Sequence, residues 1–220
     1  MDKKIGVLFD LDGTLLDTLE DLTDGVNFAL RQCGYPQVGN RDVRAYLGNG
    51  ARELIRLSIG AEQDDPAADK VLGVFKPYYE ANCRIKTRPY EGIPEVLERL
   101  GENYPLGIVS NKPDIAVKPL CTAMFPGVYC LGERGDCPRK PAPDMLWQAM
   151  EAQDIERCVY VGDSEVDVVT AKNAGLPCVS VLWGFRDRPE IEKAGGTYFC
   201  EDPKALAELV ENLIRKEFGN

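Results

Sequence analysis

The feature that most limits the fold is a pattern that repeats along the chain. A short run of β-branched and apolar residues comes first, turn residues follow, and a segment with helical periodicity comes next. This order is typical of a sheet whose strands are joined by crossover helices, so it predicts an α/β fold with a mostly parallel sheet. The runs cover residues 5–9, 106–109, 128–131, 158–161 and 178–182, with 198–200 as a weaker candidate for an edge strand.

One long interval breaks this pattern. Almost a hundred residues separate the first run from the second, and much of this stretch has helical spacing without strands. Apolar residues at helical spacing continue from Leu19 to Cys33 and stop at Gly34. The interval therefore predicts an inserted all-helical domain. The expected boundaries are residues 17–86 for this insertion and residues 1–16 with 87–220 for the core.

Two more helices are predicted inside the insertion. One begins a new apolar face at Leu54, after the break at residues 48–50. The other has Val71 and Tyr79 on its apolar face and contains Pro77. Because proline lacks an amide hydrogen and its ring clashes with the preceding turn, Pro77 is expected to kink or split that helix.

The chain contains no histidine, and its 36 acidic and 26 basic side chains give a formal charge of -10. Catalytic relays and metal sites that need imidazole are therefore excluded. Proton transfer near neutral pH is left to carboxylates, lysine, tyrosine or cysteine. The acidic balance argues against a nucleic-acid partner or an anionic membrane surface, since both reward clustered Lys and Arg. Small molecules or other proteins are the expected partners.

Cysteine usage and hydropathy indicate the compartment. The eight cysteines are scattered and form no CxxC pair, which predicts buried, reduced thiols. Only about five apolar residues precede Asp10, too few for a signal-peptide core, and no stretch approaches the length of a membrane span. We expect a soluble cytoplasmic protein, either a monomer or a homodimer.

The strongest local signal lies in residues 5–14, where an apolar run ends in Asp10 and Asp12 and continues with glycine and threonine. On its own, this motif is also compatible with an Asp-Gly turn after a strand. A calcium-binding loop is excluded, because the sixth position of such a loop is glycine and here, counted from Asp10, it is Leu15.

A second pair of acidic residues, Asp163 and Asp167, follows the apolar run at 158–161. Because the carboxyl ends of parallel strands lie along one edge of a sheet, this pair can converge with Asp10 and Asp12. Converging carboxylates repel one another unless a hard cation binds them, and an all-oxygen site suits magnesium. Taken singly, Asp163 or Asp167 is equally compatible with a helix N-cap or a first-turn acid.

Two further polar residues fit the same edge of the sheet. Ser110 closes the second predicted strand and can donate its hydroxyl to a phosphate oxygen, although a helix N-cap is an equally natural role. Lys140 comes shortly before a predicted helix and offers a compact positive charge, which could neutralise both Asp10 and a phosphate.

In this order and spacing, the residues resemble the four motifs of the haloacid dehalogenase (HAD) superfamily. The resemblance covers nearly the whole chain, and it implies a Rossmann-like parallel-sheet core with an inserted all-helical cap between motifs one and two. The closest likeness is to phosphoglycolate phosphatase-like hydrolases. The motif residues are Asp10, Leu11, Asp12, Gly13 and Thr14, then Ser110 with Asn111, then Lys140, then 162–167, with support from residues 48–51, 112–113, 141–144 and 183–186.

The resemblance implies a Mg²⁺-dependent phosphomonoester hydrolase that works through an aspartyl-phosphate. Asp10 would be the nucleophile, Asp12 the acid and base, and Lys140 a further catalytic residue. Magnesium would be bound by Asp10, the backbone carbonyl of Asp12, and Asp163, while Asp167 would support the metal site from behind. The phosphoryl oxygens would be positioned by Thr14, Ser110 and Asn111.

Selection of the substrate is expected to lie in the cap. The backbone N–H groups of Gly48, Asn49 and Gly50 could approach a small anion. Arg52 and Arg56, one helical turn apart, could recognise a carboxylate, with a solvated helix face as the alternative. The first candidate substrate is 2-phosphoglycolate, a small phosphorylated metabolite. Pyrophosphate, or a broad range of sugar phosphates and nucleotides, comes next.

Other reactions of the superfamily fit less well. The dehalogenases lack a carboxylate at the position of Asp12, and the P-type pumps need membrane spans. The best-known sugar-phosphate mutases use a cap histidine, and a phosphonate hydrolase would need a lysine between Asp17 and Gly34, which the chain does not have. A non-catalytic phosphate-binding or regulatory protein of this fold stays as the alternative of another class.

Overall fold

The computed structural model describes residues 4–219. The chain divides into two compact units: a core unit formed by the residues up to Leu16 and from Pro89 onward, and a helical unit formed by Asp17–Arg88. The strands are β1 Ile5–Phe9, β2 Leu16–Asp17, β3 Arg88–Pro89, β4 Leu106–Pro113, β5 Tyr129–Glu133, β6 Arg157–Gly162, β7 Cys178–Val181 and β8 Tyr198–Cys200. The helices are α1 Leu19–Cys33, α2 Asn40–Tyr46, α3 Gly50–Ser58, α4 Pro66–Asn82, α5 Ile93–Gly101, α6 Asp114–Met124, α7 Asp144–Ala152, α8 Glu165–Ala174, α9 Arg188–Lys193 and α10 Pro203–Phe218.

Six strands of the core unit form one parallel sheet in the order β5-β4-β1-β6-β7-β8. Strand β1 lies between β4 and β6, with Ile5 opposite Arg157 and Phe9 opposite Val161. Every residue of β1 is buried, as expected for a strand that helices cover on both faces. The six predicted strands and the α/β class are confirmed. Strand β4 continues past its predicted end at residue 109 to Pro113.

The core of this unit is packed around β1 and β6. Leu8 and Tyr160 are fully buried there and contact a cluster that includes Leu131 and Leu146. Burying a side chain of this size stabilises the fold by about 1.5–3 kcal/mol. The central strands are therefore held firmly at the point where their carboxyl ends present polar residues.

The helical unit contains four helices, α1 to α4. Helix α1 ends as predicted, because Gly34 adopts a left-handed conformation at φ 78° and its amide bonds back to the carbonyl of Arg31. Helix α2 was not predicted. Only Val43 of its seven residues is buried, so the sequence lacks the apolar face from which a helix is predicted.

Helix α4 runs without interruption from Pro66 to Asn82, so the prediction that Pro77 splits a helix is wrong. The residues around Pro77 are anchored by packing. Phe75 and Tyr79 are buried, and the ring of Tyr78 stacks on Phe28 of α1 with 3.9 Å between ring centroids. This packing offsets the backbone hydrogen bond that proline cannot make.

All eight cysteines are free thiols, and four of them are buried. Within residues 4–219, no helix is both long and apolar enough to cross a membrane.

Candidate active site

Two adjacent strands of the sheet end next to aspartates. Asp10 follows β1, Asp163 follows β6, and Asp167 lies in the first turn of α8. Side-chain oxygens of these three residues lie within 4.8 Å of one another, and all three residues are buried. The core unit therefore gathers, at one edge of its sheet, carboxylates that are about 150 residues apart in sequence.

Lys140 provides the positive charge for this cluster. Its ammonium donates to Asp10 Oδ1 at 2.7 Å, to Asp167 Oδ1 at 2.8 Å and to the Tyr160 hydroxyl at 2.9 Å. The Tyr160 hydroxyl in turn donates to Asp167 Oδ1 at 2.9 Å. The lysine side chain is only 3% exposed, and these three bonds use all the hydrogens of an ammonium group.

The electrostatics of the cluster follow from burial and mutual charge. Burial raises the pKa of Asp10 to about 7; Lys140 opposes this rise, and the charge of Asp167 adds to it. Burial also raises the pKa of Asp163 well above its ordinary value, and the charges of Asp167 and Asp10 add to the effect. Burial acts against Lys140 too, but the two carboxylates outweigh it and hold the pKa of Lys140 above its usual range. The arrangement therefore favours a bound cation, which would relieve the repulsion.

The turn after β1 fits closely around Asp163. Gly13 has φ 87°, and a Cβ at this position would come within 2.4 Å of Asp163 Oδ2. Thr14 donates its hydroxyl to Asp163 Oδ1 at 3.3 Å, and the Phe185 amide donates to Oδ2 at 2.7 Å. Trp183 donates its indole N–H to the carbonyl of Thr14 at 3.0 Å. Glycine is needed here because only it tolerates both the left-handed backbone and the close approach.

The start of α8 separates the roles of two acidic residues. Ser164 is the N-cap of this helix. The backbone amide and the hydroxyl of Ser164 both donate hydrogen bonds to Asp167 Oδ2, at 3.1 and 2.6 Å. Asp167 is therefore a first-turn acid as well as the partner of Lys140. Asp163 is not the cap of this helix, so that alternative is wrong for Asp163.

Strand β4 contains an irregularity between Val109 and Pro113, where its register against β5 shifts. Ser110 lies inside this segment and accepts the backbone amide of Lys112 at 3.2 Å, while Asn111 donates its side-chain amide to the carbonyl of Lys140 at 2.9 Å. Since α6 begins only at Asp114, the alternative that Ser110 is a helix N-cap is wrong.

Asp12 is paired with a residue that sequence reasoning did not select. Lys112 donates its ammonium to Asp12 Oδ1 at 2.6 Å, and its side chain is 5% exposed against 18% for Asp12. The pair belongs to the same edge of the sheet as Asp10, which lies two residues before Asp12.

A family model described as haloacid dehalogenase-like hydrolase matches residues 7–181. The matched range contains all the aspartates and both lysines of the site. The chain belongs to the haloacid dehalogenase-like hydrolase family.

Individual relatives of this HAD-like hydrolase agree with the family match. A phosphoglycolate phosphatase from Mesorhizobium japonicum is 34% identical, over 95% of this chain and 96% of the relative. Phosphoglycolate phosphatase 1 from Pseudomonas aeruginosa is 36% identical, over 86% of this chain and 73% of the relative. A crystal structure from Lactobacillus delbrueckii subsp. bulgaricus has a TM-score of 0.87 and 36% identity, covering 94% of this chain and 98% of that one. The protein is an enzyme, an HAD-type phosphatase.

Four of the predicted substrate-binding residues of this HAD phosphatase belong to the helical unit. Gly48 has φ 106°, Asn49 precedes α3, and Gly50 is the first residue of that helix. Arg52 donates to both oxygens of Asp69, at 2.8 and 3.2 Å, and to the carbonyl of Gln63 at 3.0 Å. Its guanidinium is thus engaged within its own unit.

Two residues at the HAD site escaped the sequence analysis, Lys112 and Tyr160. The sequence places Lys112 only in the supporting segment 112–113, and Tyr160 only at an apolar strand position. The signal for Tyr160 was available, because a tyrosine in a fully buried strand needs a hydrogen-bond partner for its hydroxyl.

Proposed function

We propose that the enzyme hydrolyses small phosphomonoesters, with 2-phosphoglycolate as the first candidate substrate, through a phosphorylated Asp10. The observation that carries the proposal is the buried contact of 2.7 Å between Lys140 and Asp10 Oδ1, beside Asp163 and Asp167. No described residue donates a hydrogen bond to Oδ2 of Asp10, so this oxygen is available to attack phosphorus. The names of the relatives support the choice of substrate.

The reaction proposed has two displacements. In the first, Asp10 Oδ2 attacks the phosphorus, the bond to the ester oxygen breaks, and Asp12 gives a proton to that oxygen. In the second, Asp12 takes a proton from water as the water oxygen attacks the phosphorus, and inorganic phosphate leaves Asp10. Thr14, Ser110 and Asn111 are proposed to hold the phosphoryl oxygens.

The residues present fit a bound magnesium ion. Asp10 and Asp163 offer carboxylate oxygens, the donor type that this hard cation prefers, and Asp12 offers its backbone carbonyl. Asp163 and Asp167 both accept hydrogen bonds, but of the two only Asp167 is ion-paired with Lys140, at 2.8 Å. Asp167 also accepts from Tyr160 and Ser164, so we propose that it orients the site without binding the metal. When bound, Mg²⁺ would screen the charge of the phosphate dianion from that of Asp10.

The helical unit is proposed to act as the cap that selects the substrate, because it is inserted between the first two motifs of the chain. The backbone of residues 48–50 is the proposed contact for a small anion. The cytoplasm is the proposed compartment, supported by the eight free cysteines.

Phosphate release from a panel of compounds tests the proposed function. We expect release from 2-phosphoglycolate and from 4-nitrophenyl phosphate with Mg²⁺, loss of activity with a chelator, and recovery when excess Mg²⁺ is added back. We also expect kcat/KM to be higher for 2-phosphoglycolate than for pyrophosphate, glucose 6-phosphate or a nucleoside monophosphate. Activity that persists unchanged in chelator would contradict the metal requirement. Binding of these compounds without any phosphate release would favour a non-catalytic protein.

Arg52 has a prediction of its own. If it recognises a substrate carboxylate, Arg52→Met should raise KM for 2-phosphoglycolate about tenfold or more and leave KM for 4-nitrophenyl phosphate unchanged. The matched control is Arg99→Met, because Arg99 makes a similar paired contact with Glu211 in the core unit. Equal KM values for 2-phosphoglycolate in wild type and Arg52→Met would contradict recognition of the substrate carboxylate by Arg52.

A further inference from the structure

The pair formed by Lys112 and Asp12 differs from the surface ion pairs of the chain. Lys118 and Asp114 also approach to 2.6 Å, but the Lys118 side chain is 58% exposed, whereas that of Lys112 is 5% exposed. Removing an ammonium group from water is costly unless a partner compensates for the lost hydration. The buried position of the Lys112 ammonium is therefore stabilised by its ion pair with Asp12.

The backbone that carries Lys112 is fixed from several sides. Its amide donates to Ser110 Oγ at 3.2 Å, inside the irregular part of β4. On the neighbouring strand, the amide of Gly132 donates to Asp114 Oδ1 at 3.0 Å. A Cβ on Gly132 would come within 2.8 Å of the Lys112 carbonyl and 2.5 Å of Asp114 Cα, so only glycine fits there. These contacts fix the position of the Lys112 backbone, from which the side chain extends to Asp12.

We propose that Lys112 is a positioning residue for Asp12 in the hydrolysis of phosphomonoesters, a role that rests on the proposed function. Its ammonium occupies Oδ1 of Asp12 and fixes the side chain, so Oδ2 is the oxygen that exchanges the proton with the leaving group and with water. Lys112 acts through Asp12 and does not itself contact the substrate. The two residues work as one unit.

This role has a signature that depends on the leaving group. The oxygen of an alkyl ester is a poor leaving group unless an acid protonates it as its bond to phosphorus breaks. The oxygen of 4-nitrophenyl phosphate leaves as a stable phenolate and does not need this proton. Asp12 also acts in the second displacement, which is the same for every substrate, so the difference should be seen in kcat/KM, which reports the first displacement. Misplacing Asp12 should lower kcat/KM for alkyl phosphates, 2-phosphoglycolate among them, much more than for 4-nitrophenyl phosphate. A residue that only supports the fold would slow both substrates alike.

The experiment measures kcat and KM on both substrates for Lys112→Met, Lys112→Arg, Asp12→Ala and the double variant Asp12→Ala/Lys112→Met. We expect Lys112→Met to lower kcat/KM for 2-phosphoglycolate at least about tenfold more than for 4-nitrophenyl phosphate, which is part of the roughly hundredfold to ten-thousandfold that a general acid contributes. Lys112→Arg should recover part of the loss. In the Asp12→Ala background, Lys112→Met should change kcat less than twofold. Lys118→Met is the matched control and should behave as wild type.

Two results would overturn the proposal: equal losses of kcat/KM on the two substrates, or a Lys112→Met effect that is undiminished in the Asp12→Ala background. Thermal unfolding of each variant identifies any that do not fold, and in that case the leaving-group preference of Lys112→Arg decides. Failure of the proposed function gives a different pattern. If the proposed function is wrong, the wild type will release no phosphate, or it will release phosphate no faster than Asp10→Asn.

Discussion

Asp10→Asn should lower kcat for every phosphomonoester by at least about a thousandfold, because the amide oxygen is a poor nucleophile while the size of the side chain stays the same. The variant keeps an oxygen that can accept the hydrogen bond from Lys140, so we expect the local geometry to persist. Phosphate release under saturating substrate and Mg²⁺ measures the effect.

A second readout separates chemistry from folding. Wild type quenched in acid during turnover should carry one added phosphoryl group by mass, and Asp10→Asn should carry none. The matched control is Asp136→Asn, which makes the same substitution at an exposed aspartate paired with Arg134. Equal rates for wild type and Asp10→Asn, or a phosphoryl group on the Asn variant, would show that Asp10 is not the nucleophile.

The sheet could be predicted from the sequence because its central strands are buried on both faces. Residues 5–9 and 158–161 are nearly continuous apolar runs, and this pattern needs no knowledge of neighbours. The meeting of Asp10 with Asp163 and Asp167 also followed from topology, since strands β1 and β6 are parallel and adjacent. Helix α2 could not be predicted in this way, because it buries only Val43 and its sequence therefore shows no apolar face.

The partners of the acidic residues depend on side-chain reach, which sequence patterns do not carry. Lys112 contacts Asp12 from the segment in which β4 shifts its register, and that irregularity has no signature in an apolar run. Tyr160 looked like one more core residue, yet its hydroxyl joins Lys140 to Asp167. Such hydrogen-bonded networks form between elements that are far apart in sequence, so only the folded arrangement reveals them.

The network around Lys140 gives the second large prediction. Lys140→Met should lower kcat about a hundredfold or more, because the positive charge that faces Asp10 is lost from a buried site, where electrostatic interactions are stronger than in water. The substitution also leaves Asp10 and Asp167 as close, unpaired carboxylates. Breaking a buried ion pair in this way costs about 3–5 kcal/mol of stability, so thermal unfolding should show a clear decrease.

Tyr160→Phe is the control that separates charge from hydrogen bonding. It removes the hydroxyl that accepts from Lys140 and donates to Asp167, but it leaves the lysine charge and its contacts with both carboxylates in place. Hydrogen bonds to charged groups contribute about 1.5–3 kcal/mol to stability, so thermal unfolding should show a decrease. The charge that faces Asp10 stays in place, so kcat should fall less than about tenfold, clearly less than in Lys140→Met. If Tyr160→Phe were as impaired as Lys140→Met, the orientation of Lys140 would matter more than its charge, and the electrostatic explanation of its role would be wrong.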